Sequence, residues 1–188
     1  MRTHSIACCL IALVVVLSVT APALAQGKPK ADIAGSYSAL YDNELGNEGY
    51  GAWMPWGWAV AVAGYLTPSV ALVGEFGGNY KTVTEEGMDI NLSIYTYQGG
   101  IRFCGRGNPK VVPFGQVLLG GGHASAGATG VSVSTNGFVV QPGAGVDIFI
   151  TPNVGIRLQG DYRLFRAEGT NNNEGRFAVG IVYAFGSR

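Results

Sequence analysis

One turn occurs twice in this chain, and it limits the fold more than any other feature. Leu66-Thr67-Pro68-Ser69-Val70-Ala71-Leu72 and Ile150-Thr151-Pro152-Asn153-Val154-Gly155-Ile156 share one pattern: a Thr-Pro-Ser/Asn break between two long alternating apolar stretches. Proline presets φ and Ser or Asn tolerates turn geometry, so both segments read as hairpin ends. The strands leaving them run about ten residues, longer than the usual globular strand. Long strands, very short turns at one end and longer polar loops at the other describe a transmembrane β-barrel.

The N-terminus gives the address. Met1-Arg2-Thr3-His4 is a short basic region, Ile6 to Leu17 is an unbroken apolar run, and Ala23-Leu24-Ala25 is an A-x-A cleavage site. This is a secretory signal, and the apolar run is too short for a helical span. The organisation read from sequence is therefore a signal peptide at 1–25, a short lead at 26–33 and an outer-membrane barrel at 34–188. Removing 25 of the 188 residues leaves 163, enough for one domain. No later run is long enough for a transmembrane helix, so insertion requires a closed barrel, which satisfies every backbone group without one. Charged residues make up 13% of the chain, against about 25% in a typical soluble domain. Cys104 alone remains after processing, so no intrachain disulfide is expected and the residue reads as a small apolar side chain.

Eight strands can be placed: 34–42, 57–66, 70–80, 92–103, 111–122, 137–150, 154–166 and 176–185. Val154, Ile156, Leu158, Tyr162 and Leu164 share one face of the seventh, and Arg157, Gln159, Asp161 and Arg163 the other. The second sets Trp58, Val60, Val62 and Leu66 against Ala59, Ala61 and Ala63. Large apolar residues fill one face; Gly, Ala and isolated charges fill the other. That is a barrel turned inside out, with lipid on the bulky face and a cramped interior. The fold class is all-β, an eight-stranded antiparallel up-and-down transmembrane β-barrel.

Parity places Glu75, Arg102, Asp147, Arg157, Asp161 and Arg163 inside. Buried charges persist only when paired, so these six predict a lumen ion-pair network. An eight-stranded barrel is just wide enough for side chains to fill, so the lumen is expected to be plugged. Outer loops are expected at about 43–56, 81–91, 123–136 and 167–175. They would carry Asp42, Glu44, Glu48, Glu85, Glu86, Asp89, Glu168 and Glu174, with Lys81 as the basic exception. The opposite end carries Lys28, Lys30, Arg106, Lys110 and Arg188. An acidic outer rim of this kind could hold divalent cations against lipopolysaccharide phosphates, but no ligand spacing resembles a calcium loop, and neither a metal site nor a cofactor is expected.

Aromatic residues mark the membrane borders. Trp53, Trp56 and Trp58 cluster near the first outer loop, with Tyr41, Tyr50 and Tyr80 at similar height, and Tyr183 and Phe185 lie at the other end. A girdle is the reading for Trp58; Trp53 reads equally as a surface contact.

The chain resembles the small eight-stranded outer-membrane barrels, the OmpA-like and OmpX-like outer membrane protein beta-barrel domain group. The likeness covers nearly all of 34–185 and rests on the signal peptide, the two Thr-Pro turns and the closing strand. Gly180, Tyr183 and Phe185 match the outer-membrane assembly signal, with Ala178 at its polar position and Gly186-Ser187-Arg188 after the last aromatic. The resemblance implies a bacterial outer-membrane location, contact with lipid and lipopolysaccharide, and handling by the outer-membrane assembly machinery. It implies a role in envelope structure, adhesion or surface interaction, and fold alone does not choose among these.

His123-Ala124-Ser125 is the one arrangement with catalytic potential. It is similar to the His-x-Ser element of outer-membrane lipid A deacylases, in which His serves as base for a Ser nucleophile. Here Ala126 follows the Ser where that family carries Asn, and the next acid, Asp147, reads as interior. Gly120-Gly121-Gly122 lacks the Lys-Ser/Thr of a phosphate loop. Basic patches for nucleic acid are absent. The sequence is thus read as a monomeric, non-enzymatic barrel with acidic surface loops acting in envelope structure or surface interaction. A small porin-like channel and a His123/Ser125 lipid A hydrolase are the alternatives.

Overall fold

The computed structural model describes residues 30–42, 52–85, 88–128, 131–167 and 170–186. The signal segment, Lys28, Glu44, Glu48, Tyr50, Glu86, Glu168 and Arg188 lie outside the described residues. The strands are β1 (Ala31–Asp42), β2 (Ala52–Met54), β3 (Trp56–Thr67), β4 (Val70–Glu85), β5 (Met88–Cys104), β6 (Val111–Ala128), β7 (Val131–Phe149), β8 (Val154–Ala167) and β9 (Thr170–Phe185). Each pairs antiparallel with its neighbour, and β9 returns to β1 from Ala31↔Phe185 to Asp42↔Glu174, closing the barrel. β2 and β3 both pair with β1 and act as one barrel strand interrupted at Pro55. Proline has no N–H for the ladder, and the Tyr37 hydroxyl donates to its carbonyl. The barrel is therefore eight-stranded.

The recurring Thr-Pro turns are built alike. Thr67 Oγ1 accepts from the Ser69 N–H at 3.3 Å, and Thr151 Oγ1 from the Val154 N–H at 2.9 Å. In the Gly105–Lys110 connection Asn108 Oδ1 accepts from the Lys110 N–H at 2.8 Å. In each case a short polar side chain supplies the acceptor that the turn backbone lacks.

Alternation decides which way side chains point. Val60 and Val62 are 40% and 43% exposed, whereas Ala61 and Ala63 between the strands' inner faces are 5% and 0%. Leu72, Phe76, Ile101, Val117, Leu158, Ile181 and Tyr183 continue the outward apolar belt. A face this large and apolar requires a hydrocarbon environment.

The structure corrects the expected outer loops. The β4–β5 ladder runs to Glu85↔Met88, β6–β7 to Ala128↔Val131 and β8–β9 to Ala167↔Thr170. Most of 81–91, 123–136 and 167–175 is strand. The pattern of bulky residues ends where lipid ends, but the backbone ladder needs no apolar side chain to continue. β1 also starts earlier than expected, at Ala31, and brings Asp32 into the barrel.

Candidate functional site

The interior carries two groups of ion pairs. The inner group lies toward the Thr-Pro turns. Arg157 meets Asp147 through two parallel contacts, Nε to Oδ1 at 2.7 Å and Nη2 to Oδ2 at 2.8 Å, and reaches Asp32 Oδ1 at 3.2 Å. Arg102 joins the same Asp32 oxygen at 3.5 Å and donates from Nε to Gln116 Oε1 at 2.9 Å. Both guanidiniums lie over the Phe114 ring, at 4.6 and 5.0 Å from its centroid. Tyr65 donates its hydroxyl to Asp32 Oδ2 at 2.6 Å. Two carboxylates and two guanidiniums, all buried, balance here.

The outer group centres on Arg176, which bridges Glu75 at 2.8 Å and Asp161 at 2.7 Å. Arg163 meets Glu174 at 3.3 Å and donates from Nε to Gln141 Oε1 at 2.8 Å. Gln141 passes the connection on, donating to Glu75 at 3.2 Å and accepting from Gln98 at 3.0 Å. This chain of side chains crosses the lumen and fills it.

The network is written into the register. Asp147↔Arg157, Asp161↔Arg176 and Arg163↔Glu174 are direct cross-strand partners. A one-residue slip would turn every side chain to the wrong face. A two-residue slip between β8 and β9 would keep the faces, but it would set Asp161 against Glu174 or Arg163 against Arg176. The reciprocal charge pattern thus excludes the slip that hydrophobicity tolerates. Glycine makes the room. A Cβ on Gly143, the partner of Asp161, would lie 1.9 Å from Asp161 Oδ1, and one on Gly180, the partner of Arg157, 2.2 Å from the Gly35 carbonyl.

Glu75, Arg102, Asp147, Arg157, Asp161 and Arg163 all lie within these two groups. Sequence reading missed Asp32 and Arg176, and it set Asp42 and Glu174 in outer loops; the structure buries both of these at 1% exposure. Parity contained the signal. Arg176 alternates with Phe177 and Asp42 shares its face with Ala34 and Ser38, and both lie within the expected strands 176–185 and 34–42, but at their ends, where charged residues read as solvated; Glu174 falls beyond the expected strand.

At the outer membrane border the aromatics form a chain. Trp58 packs edge-on against Phe76 at 5.3 Å and donates to the Tyr80 hydroxyl at 3.1 Å, and Tyr80 meets Tyr95 at 5.7 Å. Trp53 packs tilted against Tyr41 at 5.1 Å, and Trp56 is 70% exposed. Tyr183 and Phe185 pack together at 4.9 Å at the opposite border. His123 and Ser125 face outward, each engaged with a cross-strand neighbour: His123 Nδ1 with Asn136 Oδ1 at 2.8 Å, Ser125 Oγ with Ser93 Oγ at 2.8 Å. Among the described residues no cluster of metal-ligating side chains occurs.

Above the aromatic border, β4 to β7 continue as a protruding sheet. β7 pairs with β8 only from Phe138↔Arg166 inward. From Val131 to Gly137 it pairs with β6 on one side, and among the described residues no strand pairs with its other side.

Known proteins share this architecture. Ail, the attachment invasion locus protein of Yersinia pestis, aligns with 19% identity and a TM-score of 0.59 over 84% of this chain and 99% of that one. Neisserial surface protein A aligns with 15% identity and a TM-score of 0.69, over 85% and 100%. The N-terminal β-barrel domain of Pseudomonas aeruginosa OprF aligns with 14% identity and a TM-score of 0.54, over 84% and 100%. No curated protein sequence matches the chain. These likenesses concern the fold. Residues 11–185 match the outer membrane protein beta-barrel domain, and the chain belongs to that family.

Proposed function

We propose that this barrel acts in surface interaction, as a filled membrane anchor that holds a protruding sheet for a partner to extend. The observation that carries the reading is the open edge of β7. Ser132-Val133-Ser134-Thr135-Asn136 holds no charge and no proline, the devices that normally blunt an edge strand. An extended segment of a partner would add to it as a further strand, with main-chain hydrogen bonds supplying the affinity. The sheet extends about 17 Å along the strand past Tyr80, at about 3.4 Å per residue.

The lumen supports an anchor over a channel. Arg163, Gln141, Glu75 and Gln98 form a connected crossing of the barrel, so planar bilayers holding the protein are expected to show no steady conductance. Ail has been crystallised with the heparin analogue sucrose octasulfate. The present sheet does not favour a polyanion: residues 81–94 and 123–137 contain one Lys, no Arg and three carboxylates.

The test is selection of binding peptides from a random library on the protein in lipid nanodiscs, followed by Ser134→Pro and Thr135→Pro. Adjacent N–H groups in a strand point to opposite edges. One substitution therefore removes a donor from the open edge and leaves the β6 ladder whole. That variant is expected to keep its heat-modifiable gel mobility and lose the peptides. Retained binding in both variants would sink the strand-addition reading.

A further inference from the structure

The inner group of the lumen leaves hydrogen-bond donors unused. Arg102 Nη2, Arg157 Nη1 and Gln116 Nε2 are buried without a hydrogen-bond partner. Their side chains are contiguous. Arg102 and Arg157 share Asp32 Oδ1 and the Phe114 ring, and Arg102 donates to Gln116, which shares the inward face of β6 with Phe114. None of the three residues is more than 3% exposed. Burying a donor without an acceptor is costly, and more so for a charged one.

Arg106 adds a further charge at the same end. It lies over the Tyr65 ring at 4.5 Å, its Nε donates to the Pro68 carbonyl, and its Nη2 is buried without a partner. The Tyr65 hydroxyl in turn donates to Asp32. With Arg106 included, three guanidiniums stand against the carboxylates of Asp32 and Asp147 among the described residues of this end, while Lys30 and Lys110 are exposed at the rim.

The kind of atom left unpartnered selects the occupant. All of these atoms are donors. A water molecule would accept from two of them and then present two hydrogens where no unpartnered acceptor stands. An anion accepts from every side and offsets the positive charge in excess. Phe114, Tyr65 and the ion pairs fill this section of the barrel, so the anion must be small.

We infer that the inner lumen is a binding site for a halide-sized monovalent anion, held by Arg102, Arg157 and Gln116 and reached from the Thr-Pro end past Arg106. The site does not depend on strand addition at β7.

The experiment uses the protein in zwitterionic nanodiscs with ¹⁵N-labelled arginine. Gluconate, too bulky for the lumen, is replaced by bromide at constant ionic strength while the buried Nε–H signals are followed. The Arg102 signal is assigned through its change in Gln116→Glu, and in the parent protein it is expected to shift saturably with bromide. Gln116→Glu keeps an acceptor for Arg102 Nε and sets a carboxylate oxygen where the amide nitrogen stood, so a fixed negative charge takes the anion's place. That variant is expected to keep its heat-modifiable mobility and to lose the bromide response. Arg106→Gln, outside the ion pairs, is expected to weaken bromide about tenfold, the range for a hydrogen bond to a charged group. No shift of Arg102 with bromide, the result if water alone enters, would overturn the inference. So would a bromide response undiminished in both variants.

Discussion

The inner and outer halves of the lumen use the same chemistry to different ends. The inner group sets Asp32 and Asp147 against Arg102 and Arg157, shares one carboxylate between two guanidiniums, and stacks both on Phe114. It is neutral and closed, and it works as a plug. The outer group surrounds two arginines with four carboxylates and opens into an apolar cavity. Two inner guanidinium nitrogens, Arg102 Nη2 and Arg157 Nη1, are buried without a hydrogen-bond partner, whereas none from Arg163 or Arg176 is. The charge of this narrow interior is thus distributed unevenly along its axis.

The largest effect should come from breaking the inner balance. Arg157→Ala would leave Asp147 without its two-point partner and Asp32 with Arg102 as its one cationic partner, beside the Tyr65 hydroxyl. Removing one partner of a buried pair costs about 3–5 kcal/mol, since the other charge stays buried. Urea unfolding in lipid vesicles, followed by tryptophan fluorescence, should show the loss. A cost below about 1 kcal/mol would mean that the inner group is not a plug but a solvated site with replaceable contacts.

A second effect tests whether space or charge sets the outer geometry. Gly143→Ala would place a methyl 1.9 Å from Asp161 Oδ1, and the carboxylate must then leave its place beside Arg176. Overpacking of this kind costs about 1–3 kcal/mol. Slower folding into vesicles should accompany it. Wild-type stability would show that Asp161 has room to move, and that the Asp161–Arg176 pair does not hold the β8–β9 register.

What the sequence made legible follows the same physics. In β8 every second residue from Val154 to Leu164 meets lipid or lumen, so Arg157, Asp161 and Arg163 announce themselves. Asp32 was hidden because Ala31 and Ile33 follow a polar lead and offer too few bulky residues to start an alternation. The protruding part of β6 and β7 was hidden for a related reason. His123–Ala128 and Val131–Asn136 are mostly small or hydroxylated, and hydrophobic alternation records contact with lipid, not the extent of a ladder. Asp42 and Glu174 were set in loops because acids near strand ends usually are solvated. Only the closure of β9 on β1, a pairing across nearly the whole described chain, reveals that they face each other inside.

The smallest effect is expected for Glu174→Gln, and it is read against the same kind of change in the inner half. Asp147→Asn keeps the shape of the side chain but removes the charge that meets Arg157 at 2.7 and 2.8 Å. The inner group would then hold two guanidiniums against one carboxylate, and the cost should approach that of a broken buried pair, about 3 kcal/mol. Glu174→Gln makes the same change in the outer half, where its contact to Arg163 is longer, at 3.3 Å, and Asp42 repels it from across the ladder. The amide still accepts from Arg163, and the repulsion is gone. These terms oppose each other, so stability should change by no more than about 1 kcal/mol, in either direction. Parallel unfolding curves of the two variants decide the matter. Equal and large costs would mean that the outer carboxylates are held as tightly as the inner ones.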